Sequence, residues 1–457
     1  MPSRNPRMKT SSLLPLALAL GAALAARADG PAPAPLPDPL DLKGAIVYAL
    51  DHNFPILQAR EQVRVQEGLV LQAQAPGIPN VTGNGNYQRN AASEPGSFVP
   101  QTTAWQAQLR VTQTLFAGGG IHAAVQNAKL TRQAVLADLQ ATVNTALLDV
   151  RTRFYAVLLA REQVRVQEQN IALIQSQLTD TQHQFQAGAV SNFEVLRAQV
   201  ALANAQPDLI TARNNERISV EQLRQALGAP GSLGGGAPFP ALSGSLDITR
   251  QDFDLENAVA QARQNRPELL SLAKRSEAGG QALTTARSGY YPSVGVFAGY
   301  AWSESDLAAA PALGLPGGSS FTGHGWLAGA QGNWSIFDGR ATAGRVVQAK
   351  AQLRQAKLSE SQEDLSVEIE VRQAFSAWQE SSDLVTATQK TVEQATEALR
   401  LADNRFKAGT ATQLDVLTSQ VALTQARNNA IQANYNYLVA VATLRKAMGQ
   451  GDALVGG

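Results

Sequence analysis

The sequence predicts an α+β chain made from one supersecondary unit used twice, each copy holding a long coiled-coil helical hairpin plus two strands. Two observations predict it. Motifs recur at a constant spacing: Phe185-Gln186-Ala187-Gly188 returns as Phe406-Lys407-Ala408-Gly409, and Leu115-Phe116-Ala117-Gly118 returns as Ile336-Phe337-Asp338-Gly339 (406 − 185 and 337 − 116 both give 221). Trp105 answers Trp326, and Leu223-Arg224 answers Leu444-Arg445, without a gap. Apolar residues also alternate with period two in short segments and step by three, four or seven over much longer ones. Those are the signatures of half-buried strands and of a coiled-coil seam, and a long unit repeated within one chain implies pseudo-symmetry.

In chain order, residues 1–28 read as an export signal. Arg4, Arg7 and Lys9 precede a short apolar run, Ser11 to Ala26, and Ala26-Arg27-Ala28 offers a small-x-small cleavage site. Residues 29–40 are a Pro/Ala-rich leader, expected to be extended and mobile. The first repeat spans 41–228 and the second 254–449, with a Gly/Pro-rich linker over 229–253 and a tail over 450–457. Each copy opens on short helical segments with an early proline, Pro55 and Pro267. Strands are expected at about 81–89 and 105–116, and at about 294–302 and 326–337. Trp105, Ala107, Leu109 and Val111 alternate with Gln106, Gln108, Arg110 and Thr112, which gives one apolar face and one polar face. The loops Asn90 to Ala104 and Ser303 to Gly325 are rich in Ser, Gly, Ala and Pro and read as exposed.

Long helices follow, at about 120–185 and 340–406. The seam Val150, Phe154, Val157, Val164, Ile174, Leu178 and Phe185 repeats as Val371, Phe375, Trp378, Val385, Ala395, Leu399 and Phe406. Each long helix should measure roughly 100 Å. Returning helices are expected at 193–228 and 413–449, with stripes Leu196, Val200, Ile210, Val220 and Leu223, and Leu417, Val421, Ile431, Val441 and Leu444. At roughly 50 Å, a returning helix matches the long one only when a short helix of roughly 30 Å stacks end to end with it.

Composition narrows the class. The chain has no cysteine, 16% charged residues and a net charge of +1, so a disulfide framework is excluded and nothing points to nucleic acid. After the signal no stretch is apolar enough for a transmembrane helix, so any crossing must use strands. Four strands with one apolar face cannot close by themselves, and open edges are forbidden in lipid. Three chains would supply twelve strands, an even number inside the range of known barrels. Tyr87, Trp105, Tyr300, Trp302 and Trp326 near the loop ends, and Phe116, Trp334 and Phe337 near the helical ends, would form the two aromatic girdles of such a barrel. A soluble sheet with ordinary core aromatics would need a second apolar layer, which the polar faces lack.

The duplicated helix–strand–strand–long helix–helix order, the Leu-Phe-x-Gly motif where strand meets long helix, and the Phe-x-x-Gly-x-x-[Ser/Thr] turns resemble the TolC-type outer membrane efflux proteins over the whole mature length. The segment Phe406 to Leu417, with Asp415-Val416-Leu417, is the most specific match. The resemblance implies a homotrimer: a 12-stranded β-barrel in outer-membrane lipid continued by a 12-helix α-barrel in the periplasm. It implies two partners, a periplasmic adaptor protein and, through it, an inner-membrane pump. It implies no cofactor. Thr418 stands where the family commonly has a second Asp, and Ala411 where it has a basic residue in the turn.

Three sets of site residues follow. Asp415 and Glu194 are candidates for a constriction at the periplasmic entrance. Ser191-Asn192-Phe193-Glu194 and Thr412-Gln413-Leu414-Asp415 equally resemble capping boxes at helix starts. The hairpin tips, Phe185, Ala187, Gly188, Ala189, Val190 and Ser191 in one copy and Phe406, Ala408, Gly409, Thr410, Ala411 and Thr412 in the other, are candidate adaptor-docking surfaces, with Gly188 and Gly409 also expected as helix C-caps. The aromatic residues named above are the third set. Catalysis has little support: His52, His122, His183 and His324 are scattered, and the Gly-rich stretches lack the form of a phosphate-binding loop. A periplasmic coiled-coil adaptor would share the hairpins but has no use for strands with aromatic girdles, and long helices argue against a general diffusion porin.

Overall fold

The computed structural model describes residues 36–90, 102–230, 239–307 and 319–451. The expected signal peptide, most of the leader, the tips of both strand hairpins, linker residues 231–238 and tail residues 452–457 lie outside the described residues. The first copy comprises α1 (Leu42–His52), α2 (Phe54–Gln74), β1 (Asn80–Asn90), β2 (Thr102–Ala117), α3 (Gly120–Gln186) and α4 (Asn192–Leu227). The second comprises α5 (Leu255–Asn265), α6 (Pro267–Arg287), β3 (Ser293–Leu307), β4 (Ser319–Asn333), α7 (Ala341–Lys407) and α8 (Gln413–Ala447). The spacing between copies is not constant. It is 213 for α1, α2 and β1 (255 − 42, 267 − 54 and 293 − 80) and 221 for α3 and α4 (341 − 120 and 413 − 192). The second copy therefore carries its extra length between its two strands.

Local chemistry starts each element. Asp41 caps α1 by accepting from the Gly44 amide at 2.8 Å, and Asp254 caps α5 by accepting from the Asn257 amide at 2.9 Å. Pro55 and Pro267 sit in the first turns of α2 and α6, where the missing N–H costs nothing. Gly118 and Gly339 take positive φ at the strand-to-helix turns. Asp338 then accepts from the Thr342 amide at 2.7 Å and opens α7.

The four strands form one antiparallel sheet in the order β1-β2-β3-β4. They reach further into the hairpins than the alternation alone suggests, and β4 ends at Asn333 rather than near 337. Trp334 and Phe337 therefore follow the strand, in the irregular stretch that leads to α7. The leader is not free throughout: Leu40 is fully buried, donating to the Ala241 carbonyl and accepting from the Ser243 amide at 2.9 Å each.

α3 and α7 have 67 residues each, roughly 100 Å. α2 and α4 both pack on α3, α6 and α8 both bridge α3 and α7, and α7 lies at the far side. The helices thus form one layer, with α2 and α4 on one edge and α7 on the other. Two equivalent cores hold it together. Val150, Leu223 and Leu227 pack with α1 in one, and Val371, Leu444 and Met448 with α5 in the other. No described helix is long and apolar enough to cross a membrane.

The returning helices bury only part of the stripe read from the sequence: Leu223, Val441 and Leu444 lie in the cores, and the residues nearer the tips do not. Leu196, Val200 and Ile210 are 52%, 58% and 69% exposed, and Val421 is 70% exposed. α4 instead turns Val195, Ala198, Ala205 and Ala212 inward. Small residues permit close approach to α3, and the large apolar residues are left on the open edge of the layer.

Candidate functional site

The strand register sorts the sheet into two faces, because residues directly opposite in an antiparallel pair point the same way. One face carries the rows Tyr87–Trp105–Glu304–Thr322, Gly85–Ala107–Trp302–His324, Gly83–Leu109–Tyr300–Trp326 and Val81–Val111–Ala298–Ala328. Toward the helices it continues through Val296 and Val294. A β-bulge between Thr114 and Phe116 reverses the parity of β2 and brings Phe116 opposite Val294 on this same face. Without the bulge Phe116 would point to the other side. The other face carries Asn84, Asn86, Gln106, Gln108, Thr112, Ser303 and a row of glycines.

No described residue covers the apolar face. Tyr87 is 70% and Trp326 85% exposed, and Tyr300 packs edge-on against Trp302 and Trp326, with centroids at 4.4 and 4.9 Å. Trp105 Nε1 donates to Glu304 at 2.9 Å at the loop-side margin, the wet-and-dry arrangement of an interfacial indole. Trp334 and Phe337, although past the strand, remain exposed at the helical margin, with Trp334 Nε1 donating to the Tyr290 carbonyl at 3.2 Å. β3 and β4 have 15 residues each. At ~3.3 Å per residue and a tilt of ~40°, each would rise ~38 Å, more than the ~25 Å apolar band of a membrane barrel.

At the far end of the helices the two tips are built alike. The Gly188 amide donates to the Phe185 carbonyl and Ala189 to Gln184, both at 2.9 Å. In the second tip Gly409 donates to Phe406 at 2.9 Å and Thr410 to Arg405 at 2.8 Å. Both are Schellman motifs, with glycine at φ +75° and +70°. Gly188 and Gly409 have open space where a Cβ would stand.

The two helix starts differ, contrary to their matching sequences. Thr412 and Asp415 form a full capping box: Asp415 Oδ2 accepts from the Thr412 amide at 2.8 Å, and Thr412 Oγ1 accepts from the Asp415 amide at 3.3 Å. The backbone and side-chain hydrogen bonds from Thr412 hold the Asp415 carboxyl below the usual carboxylate range. Ser191 makes no side-chain cap. Glu194 faces the neighbouring hairpin instead, where the buried Gln413 amide, oriented to satisfy both its ends, donates to Glu194 Oε2 at 2.6 Å. Glu194 is thus tied between hairpins while Asp415 stays exposed. The signal for this lies in Gln413, which the motif comparison passes over.

An uncovered aromatic sheet face joined to ~100 Å helical hairpins defines a strand-spanning membrane protein with a long helical extension. The family model for outer membrane efflux proteins matches residues 45–229 and 258–450, and the chain belongs to that family. Outer membrane efflux protein BepC of Brucella suis is 25% identical over 417 residues, 90% of this chain and 86% of that one. Outer membrane protein TolC of Escherichia coli is 24% identical over 392 residues, 83% and 76% of the two chains. Among solved structures, CusC superposes with a TM-score of 0.75 at 18% identity, covering 90% of this chain and 92% of that one. The Vibrio cholerae outer membrane protein VceC does so at 0.72 and 18% identity, over 90% and 96%. This family is one of channels rather than enzymes, and the chain is an outer-membrane exit channel of a Gram-negative cell, extending into the periplasm.

Proposed function

We propose that three copies close into one duct, a 12-stranded barrel continued by a 12-helix tunnel, which passively carries substrates from a periplasmic adaptor and its inner-membrane pump to the exterior. The observation that carries this is a pair of matching open edges. β1 and β4 each have one paired side. The helical layer ends in apolar residues on both edges, Leu196, Val200 and Ile210 on α4 and Val347, Leu358 and Leu365 on α7. An edge that pairs with the opposite edge of a second copy is a heterologous contact, which closes into a ring. Two copies would give about eight strands, whose interior side chains fill, whereas about twelve leave a lumen. The detergent-solubilised protein is expected to fractionate with outer membrane and to run at three times the chain mass. A particle of monomer mass that still inserts and conducts would overturn the reading.

Threefold symmetry would bring Asp415 into a ring at the periplasmic mouth, where an ionised carboxylate favours cations. Its depressed pKa keeps it charged throughout neutral pH. Because Thr418 is uncharged, block by multivalent cations should be modest. Asp415→Asn should weaken both that block and cation preference in planar bilayers, with trimers intact. The capping contribution has its own signature. A carboxyl with a depressed pKa stabilises the fold fully above the ordinary carboxylate range and loses that contribution as pH falls through the depressed value. Amide protection factors at the start of α8 should therefore fall in acid in the wild type and be already low in Asp415→Asn. Unchanged selectivity would leave Asp415 the capping role alone.

The six tips of a trimer would present a quasi-sixfold face to a ring of adaptor hairpins. Their small residues, Ala187, Ala189, Ala408 and Ala411, support close approach. The two tips are not equivalent, since Gln184 and Gln186 stand opposite Arg405 and Lys407.

A further inference from the structure

The polar face of the sheet carries one charged side chain among the described strand residues, Arg110. Its surroundings on that face are amides, hydroxyls and glycines, together with Phe297 and Leu327. The charged residues of the opposite face, Arg89, Glu304 and Asp306, gather toward the loops, whereas Arg110 pairs with Gly299, beside the Leu109–Tyr300 row within the aromatic band. No described carboxylate forms an ion pair with it. Its guanidinium lies over the Phe297 ring, 4.2 Å from the centroid. Arg110 Nη2 donates to Gln331 Oε1 at 3.3 Å, and its Nε is covered without a hydrogen-bond partner.

This arrangement is built by three strands. Phe297 on β3 can lie beneath Arg110 because its neighbour on β4 is Gly329, where a Cβ would stand 2.9 Å from the Phe297 ring. Gly299, opposite Arg110, likewise leaves no room for a side chain, since a Cβ would stand 2.7 Å from the Leu109 carbonyl oxygen. Stacking on an aromatic face and one amide contact fix the plane of a guanidinium without neutralising it. A planar fork with remaining N–H donors matches the two oxygens of a carboxylate or the oxygens of a phosphate.

We infer that Arg110, held by Phe297 and Gln331, is an anion-binding residue of the barrel wall that engages carboxylate or phosphate groups of passing solutes. The inference rests on the reading of the polar face as the lumen. In a trimer it places three guanidiniums at one level of the barrel, separated along the pore from the Asp415 carboxylates at the opposite end of the helices. The three sites act singly on a bound oxyanion and together on mobile ions. The collective part must fade with salt, because the screening length is ~10 Å at 0.1 M.

The test is planar-bilayer recording on the full-length trimer, with chloride-to-potassium permeability from reversal potentials and block by citrate added on the barrel side. Arg110→Gln is expected to lower the permeability ratio at low salt and to weaken citrate block on the order of tenfold, the value of losing charge-assisted hydrogen bonds. Arg110→Lys keeps the charge but not the fork or the stack, so it should retain the permeability ratio and lose most of the citrate block. Phe297→Leu should weaken the block while the ratio stays. Arg110→Gln channels with wild-type ratio and wild-type block would overturn the inference and leave the duct standing. Should Arg110→Gln fail to assemble, unchanged citrate block in Arg110→Lys overturns it instead. A wild-type protein that forms no channel at all would sink the duct reading itself.

Discussion

Arg266→Ala is expected to loosen the junction of α5 and α6 by about 2–3 kcal/mol, somewhat less than the ~3–5 kcal/mol of breaking a fully buried ion pair. The Arg266 side chain is 3% exposed and its two carboxylate partners are partly exposed, Glu268 at 25% and Glu370 at 39%, which is the reason for the lower figure. Arg266 Nη2 donates to Glu268 Oε1 at 3.1 Å and Nη1 donates to Glu370, whose other oxygen accepts from Lys446 at 3.0 Å. Burial pushes the Glu370 carboxyl up, and the hydrogen bonds and charges of Arg266 and Lys446 outweigh it, holding the group below its usual value. Its contribution is therefore complete above the ordinary carboxylate range and is lost as pH falls through the depressed value. Truncating Arg266 strands a partly desolvated carboxylate cluster and opens a cavity at the end of α8. Native-state hydrogen exchange of the α5 and α6 amides measures the loss. Arg266→Met combined with Glu268→Gln, Glu370→Leu and Lys446→Met should recover much of it, because no charge of the cluster is then left unpaired. A loss below about 0.5 kcal/mol in the single variant, the level of an exposed pair, would show the cluster to be solvated already.

The equivalent junction of the first copy shows what the duplication conserves and what it changes. Asn53 stands there, 5% exposed, donating to the Ala226 carbonyl at 2.7 Å and accepting from the Ile56 amide at 3.2 Å. A neutral amide and an ion cluster thus hold the same joint. The sequence made the joint visible through Pro55 and Pro267 but not its chemistry, because Glu370 on α7 and Lys446 on α8 are remote from Arg266 along the chain. The same limit explains the other departures. From Trp105 onward the two copies align without a gap, so the repeat and the long helices were legible from local pattern. The shorter spacing before Trp105 was hidden by the low-complexity hairpin loops. Leu196, Val200 and Ile210 announced an apolar stripe, yet a helix at the edge of a layer has one neighbour in its own chain, and periodicity does not say which face that neighbour takes. Alanines at 198, 205 and 212 carried the intramolecular contact and give too weak a hydropathy signal to be read as a seam. The polar phase of β2 put Arg110 on the wet face, while its stacking on Phe297 required the register of three strands.

Replacing Gly188 or Gly409 with tryptophan is expected to abolish export while leaving trimer assembly and outer-membrane insertion intact. Both glycines sit in αL, where a Cβ costs about 1–2 kcal/mol, and both have open space around the position a Cβ would take. The bulky side chain therefore meets no atom of its own chain and projects from the end of the hairpin. The Schellman hydrogen bonds already engage the Gln184, Phe185, Arg405 and Phe406 carbonyls, so the tips do not offer these groups to a partner. What they offer is shape, a narrow turn flanked by Ala187, Ala189 and Ala408 that another helical hairpin can approach closely. A local loss of that size at the end of a 67-residue helix is far from both cores, which is why assembly should survive it. The basic second tip predicts a difference between the copies. Lys407 is paired with Asp403 at 2.7 Å, which leaves Arg405 as the tip charge with no counterpart in the first copy, where Gln184 stands. Arg405→Gln should weaken adaptor capture moderately, and more at low ionic strength than at high. Export by whole cells, trimer stability on gels and adaptor co-purification separate the possibilities. If both tryptophan variants export normally, tip docking is wrong and the contact must run along the hairpin sides, where Leu401 and Leu414 are exposed.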